Sequence, residues 1–96
     1  MSKFVSDVIR IGGYAQQTLS LSTTAAQTGQ LREGIYDLWC DEDCYIKCAA
    51  DSSDVTTSNG YLLRANNTIP IAIERNERLG GIVASGTATL SYHRVG

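Results

Sequence analysis

Apolar and polar residues alternate with a period of two over several short stretches, the pattern of a strand with one buried face. Residues 87–93 show it most cleanly: Ala88, Leu90 and Tyr92 point one way, while Thr87, Thr89, Ser91 and His93 point the other, after a turn at Gly86. Residues 69–74 repeat it with Ile69, Ile71 and Ile73 on one side. Pro70 interrupts them, and because proline cannot donate to a ladder the strand belongs at a sheet edge or starts there. Residues 18–22 form another half-buried strand. Gly34–Cys40 and Cys44–Ala49 read as the two arms of a hairpin, with Asp41, Glu42 and Asp43 as a solvated tip.

Cysteines at positions 40, 44 and 48 would also share one helix face. The segment is instead rich in aromatic and β-branched residues and lacks an N-cap, which favours strands. Asn59-Gly60 marks a tight turn into a strand at Tyr61, Leu62 and Leu63. Asn66, Asn67 and Thr68 turn into the isoleucine strand. Residues 80–84 add a short strand whose two glycines allow a bend or bulge, and residues 23–30 read as a loop or one helical turn. Short strands separated by turns at this spacing predict an all-β sandwich or barrel. Residues 1–17 differ: Phe4, Val5, Val8, Ile9 and Ile11 are apolar enough to pair, but Gly12-Gly13 loosens their link to the body. The expected organisation is an N-terminal arm or edge strand over 1–17 and a β-sandwich over 18–96.

Size limits what such a fold can do. A chain of 96 residues makes one domain, and at this length only about 60–65% of the unfolded surface is buried. A core fits; a core with a deep walled cleft does not, and oligomerisation is a natural way to bury more. Ten acidic against eight basic residues give a net charge of −2, without the basic stripe that a nucleic-acid partner demands. No apolar run approaches the roughly 20 residues that span a bilayer, and the start of the chain lacks the basic-then-apolar order of a secretory signal. Synthesis and folding in a cytoplasm are expected, with no nucleic acid or membrane as direct partner.

The candidate chemistry is sparse. Three cysteines spaced by four do not match structural zinc, which takes four ligands, often in closer pairs. Buried cysteine packs as a small apolar residue, so Cys40, Cys44 and Cys48 read as reduced core thiols, and no metal or cofactor is implied. His93, on an outward face near the C-terminus, has no nucleophile or carboxylate converging on it by sequence. The acidic groups at 41–43 and 51–54 lack the glycine and terminal glutamate of a calcium loop, and the glycines near 80 and 86 precede no phosphate-binding Gly-Lys-Ser/Thr. No enzyme is expected. Exposed aromatics remain as possible anchors: if Tyr36 and Leu38 face inward, Trp39 faces out beside Tyr45 or Lys47.

Beyond this grammar, the succession 31-Leu-Arg-Glu-Gly-Ile-Tyr-Asp-Leu-38, then Asp43-Cys44-Tyr45-Ile46-Lys47, Gly60-Tyr61-Leu62-Leu63, Ile69-Pro70-Ile71 and finally residues 79–90, ending Ser-Gly-Thr-Ala-Thr-Leu, resembles a group of small virion structural proteins of tailed bacteriophages. The resemblance covers about residues 25–92 and leaves out the cysteine triplet and the arm. It implies a jelly-roll-like sandwich serving as a head decoration (cement) protein or a head–tail accessory protein, with no catalytic residues. The expected function is therefore a homo-oligomer, dimer or trimer, on the outer capsid surface of the virion that staples neighbouring major capsid protein subunits. Phe4, Val5, Val8, Ile9, Ile11, Trp39 and Tyr45 are the candidate interface residues. A neck or tail accessory role is the first alternative. A carbohydrate-binding module, with Trp39 and the tyrosines as a stacking platform, is the alternative of another class.

Overall fold

The fold follows from where the alternating apolar side chains go. A computed structural model describes residues 16–96. Eight strands form: β1 (Gln17–Leu21), β2 (Ala26–Gln27), β3 (Gly34–Cys40), β4 (Cys44–Ala49), β5 (Tyr61–Leu63), β6 (Thr68–Ile73), β7 (Arg78–Ile82) and β8 (Ala88–Arg94). They make two four-stranded sheets, one in the order β1-β8-β3-β6 and the other β2-β7-β4-β5. Every pairing is antiparallel, and no helix occurs among the described residues.

The wiring is that of a jelly roll. First strand pairs with last, second with seventh, third with sixth and fourth with fifth, as if one long hairpin had been rolled up. Only β4 and β5 are consecutive in the chain and neighbours in one sheet; every other connection crosses from sheet to sheet. Between the sheets lies a single core in which Leu21, Leu38, Leu63, Leu79 and Leu90 are fully buried, with Tyr36, Ile46, Ile73, Val83, Ala88 and Tyr92 around them. Each buried leucine is worth about 1.5–3 kcal/mol relative to exposure. The inward set of β8 (Ala88, Leu90, Tyr92) and the edge position of Pro70 on β6 match the sequence pattern. The missing N–H of Pro70 also helps to blunt that edge against pairing with other chains.

Three local expectations are overturned. The 34–40 and 44–49 segments are not a hairpin: β3 pairs with β6 and β8, β4 with β5 and β7, and residues 41–43 form a corner between the sheets. Period-two alternation records which side of a strand is buried, and that side is the same whether the partner lies beside it or across the core. A three-residue hairpin also wants a left-handed residue in its loop, and the positive-φ non-glycine positions lie elsewhere, at Asn66 and Asn76. Within residues 23–30, Ala26 and Gln27 form a short edge strand on β7 in place of a loop or helical turn. Gly80 and Gly81 make no bulge, since the β4–β7 register runs unbroken from Tyr45↔Ile82 to Ala49↔Arg78.

What those glycines provide is close approach. A Cβ on Gly81 would lie 2.9 Å from a methyl of Leu21 in the core. On the opposite face, a Cβ on Gly80 would collide with the carbonyl oxygen of Ser52 and lie 2.6 Å from its Cβ. Ser52 belongs to the long β4–β5 connection, residues 50–60, which folds back over the outer face of the second sheet. Ser52 is fully buried there: its N–H donates to Gln27 Oε1 (2.9 Å) and its hydroxyl to the Arg78 carbonyl (2.8 Å). Val55 is buried in the same strap, and Lys47 reaches up from β4 to Asp54 at 2.6 Å. Gly80→Ala is therefore expected to cost about 1–3 kcal/mol by overpacking, read as a lower urea midpoint. Gly29→Ala, where a Cβ meets nothing within 4 Å, should leave the midpoint within about 0.5 kcal/mol of the parent, as an innocuous surface change does.

Candidate functional site

With the second sheet strapped over, two surfaces of the described residues carry exposed large apolar side chains. The first is the outer face of the β1-β8-β3-β6 sheet. Inward Tyr36, Leu38 and Cys40 force their neighbours Ile35, Asp37 and Trp39 outward along β3. Ile35 is 42% exposed and Trp39 37%. Register sets Trp39 between Ser91 on β8 and Thr68 on β6, and Asp37 between His93 and Pro70. Gln16, Asp37, Trp39, Ser91 and His93 line a shallow depression of about 340 Å³. His93 Nε2 is shielded from solvent there and has no hydrogen-bond partner among the described residues.

The second surface is the mouth of the sandwich, where the edge strands β5 and β6 of the two sheets stand apart. Ile46, Cys48, Tyr61, Ile69, Pro70 and Ile71 form a largely apolar groove of about 490 Å³ with Lys47 at its rim. Tyr61, at 65%, is the most exposed large apolar side chain among the described residues. The sequence reading did not single it out. Its signal was present, because β5 is only three residues long and its central Leu62 and inward Leu63 leave Tyr61 at the strand start with nothing beyond it to cover the ring.

The candidate interface residues part company. Phe4, Val5, Val8, Ile9 and Ile11 lie outside the described residues. Trp39 is on the open face as expected, but Tyr45 is half-buried on the other sheet, with its Cβ beneath Gly60 of the strap. Trp39 therefore stands beside neither Tyr45 nor Lys47. No aromatic platform assembles either: Tyr36 and Tyr92 are core residues, and Tyr36 donates its hydroxyl to the Arg32 carbonyl at 2.7 Å.

The acidic residues prove to be structural ties as well as solvated groups. Asp41 Oδ1 accepts the Thr89 N–H (2.9 Å) and Asp43 Oδ1 the Ala65 N–H (2.7 Å), fastening the 41–43 corner to the start of β8 and to the β5–β6 connection. Asp51 accepts both the N–H and the hydroxyl of Ser53, which holds its carboxyl below the usual range. No cluster of three or more metal-ligating side chains occurs among the described residues.

Cys40 and Cys44 are fully buried, and Cys48 is half-buried against the same core. Burial, and then the neighbouring Cys40, push the Cys44 thiol well above its ordinary value. Burial and the nearby Glu77 carboxylate push Cys48 up to about 11. Thiolate is the reactive form, so Cys44 and Cys48 are chemically quiet near neutral pH. Comparison with family models, with curated proteins and with solved structures finds no match to the chain.

The raised thiols predict a pH dependence of known sign. The folded chain holds these protons more tightly than the unfolded chain, so their stabilising contribution is complete below the ordinary thiol value of 9.0 and is lost as pH rises toward 11. Urea midpoints should fall across that window, and Cys48→Ala should flatten the fall. Disulfide-exchange labelling at pH 8 should be slow at all three thiols in the folded state and fast in urea.

Proposed function

We propose that this protein is a capsid decoration (cement) protein of a tailed bacteriophage, a homo-oligomer that lies on the outer shell and staples neighbouring major capsid protein subunits. The observation that carries the reading is an asymmetry of surfaces. The interior is packed with side chains, one outer face is closed by the chain's own strap, and a large apolar groove opens at the β5–β6 mouth. Such a body has little to offer a substrate and a good deal to offer a partner with a protruding apolar side chain, because binding energy concentrates where an aromatic anchor meets a desolvated pocket. The jelly-roll wiring is compatible with this, being common among viral shell and lectin domains, although a fold by itself does not fix a function. The residues that resemble the phage virion proteins supply the class.

In this reading Tyr61, Ile69 and Ile71 meet the shell. Stapling works by adding buried area across joints that packed DNA pulls apart. Many small contacts on one lattice then reinforce each other through avidity.

The test is a quantitative protein inventory of purified virions from the encoding phage. A copy number matching the shell lattice supports decoration, a count near a dozen would reassign the protein to the neck, and absence would overturn both. Tyr61→Glu, which puts a charge at the groove without touching the core, is expected to cut shell occupancy at least tenfold while leaving the circular-dichroism spectrum unchanged. Unchanged occupancy would remove the mouth from the interface.

A further inference from the structure

The outer face of the β1-β8-β3-β6 sheet carries a set of polar groups that the fold does not use. Asp37 and Trp39 lie two apart on β3 and point the same way, and across the ladder Asp37 faces His93 while Trp39 faces Ser91. These four side chains make a two-by-two patch with Gln16 at its rim, around the 340 Å³ depression. Within the described structure the Asp37 carboxylate, Ser91 hydroxyl, Gln16 amide and Trp39 indole N–H enter no hydrogen bond or ion pair, and His93 Nε2 is shielded without a partner. Other outward positions of this sheet carry small or β-branched side chains, as on β1 (Thr18, Ser20) and β8 (Thr89). A large indole ringed by unspent donors and acceptors is a different composition.

We propose that this depression binds a neutral pyranose ring of a saccharide, its C–H face stacked on the Trp39 indole and its hydroxyls bonded to Asp37, Ser91 and Gln16. The shape suits a flat ligand, because the hollow is shallow and open. Its volume sits at the low end of the roughly 300–1,000 Å³ range of small-ligand sites. The chemistry narrows the class further. A pyranose presents an apolar face to an aromatic ring and a rim of hydroxyls to polar neighbours, and a carboxylate accepts from two of them at once. Among the described residues no lysine or arginine lines the depression, so a phosphate or nucleic-acid strand would meet Asp37 there without a compensating cation. A proline ring would cover the indole but leave Asp37 and Ser91 unpaired. The depression shares no lining residue with the β5–β6 mouth, although Pro70 of the mouth lies beside Asp37 in the ladder.

Trp39 is the only tryptophan, which makes its fluorescence a local reporter. The full chain would be titrated with methyl β-glucoside, N-acetylglucosamine and cellobiose, and with glucuronic acid as an anionic control. Saturable change in Trp39 emission with at least one neutral sugar, at a Kd of about 1 mM or tighter, is the expected result, with Asp37→Asn weakening it at least tenfold. Trp39→Phe keeps a smaller ring, and its binding, read by saturation-transfer NMR, should also weaken while circular dichroism stays unchanged. The proposal is overturned if no neutral pyranoside saturates, if both variants bind like the parent chain, or if glucuronic acid binds as tightly as the neutral sugars. Sugar binding retained in Tyr61→Glu would show that this site stands whether or not the shell-docking reading does.

Discussion

The structure depends on one constraint: the alternating side chains of two sheets must fill the space between them completely. Leu21, Leu38, Leu63, Leu79 and Leu90 meet there with Cys40 and Cys44 as small spacers, and interiors of this kind tolerate neither voids nor surplus methyl groups. Filling the interior removes any internal cleft, and it dictates which side chains face out. Ile35, Asp37 and Trp39 are on the surface because Tyr36, Leu38 and Cys40 are not. The open face is thus a by-product of core packing whose residue types were free to serve another purpose.

The two outer faces were treated differently. On the second sheet, Gly80 lets the 50–60 strap come down until Ser52 touches backbone, and Ser52 and Gln27 satisfy the polar groups that this burial would otherwise strand. On the first sheet nothing comparable covers Trp39 among the described residues. One side of the molecule is covered by its own chain, and among the described residues the other is open. That division supports a partner-binding role better than any single residue does.

A good part of this was legible. The alternation at 69–74 and 87–93 fixed strands and buried faces, Pro70 pointed to an edge, and core packing for Cys40 and Cys44 followed from their place in the inward set. What misled was the pairing of 34–40 with 44–49. The same inward residues satisfy a hairpin and a corner between sheets, and nothing in Asp41-Glu42-Asp43 separates the two, since aspartate tolerates the left-handed turn a hairpin needs. The acidic triplet looked like a solvated tip for the same reason: its bonds to Thr89 and Ala65 join residues 48 and 22 positions apart. The Trp39–Tyr45 neighbourhood failed with the hairpin that implied it.

The sequence by itself determined the class of the fold and, for the clearly alternating strands β6 and β8, which side chains turn inward, because the period of the pattern is a local property of the extended backbone. Tertiary structure decided which strands are neighbours. It also decided that a strap closes one face, and that Trp39, Asp37, Ser91 and His93 share a patch while Tyr61 opens a groove elsewhere. Those outcomes rest on contacts between distant parts of the chain, where many pairings satisfy the same alternation and only the packing of the whole selects one.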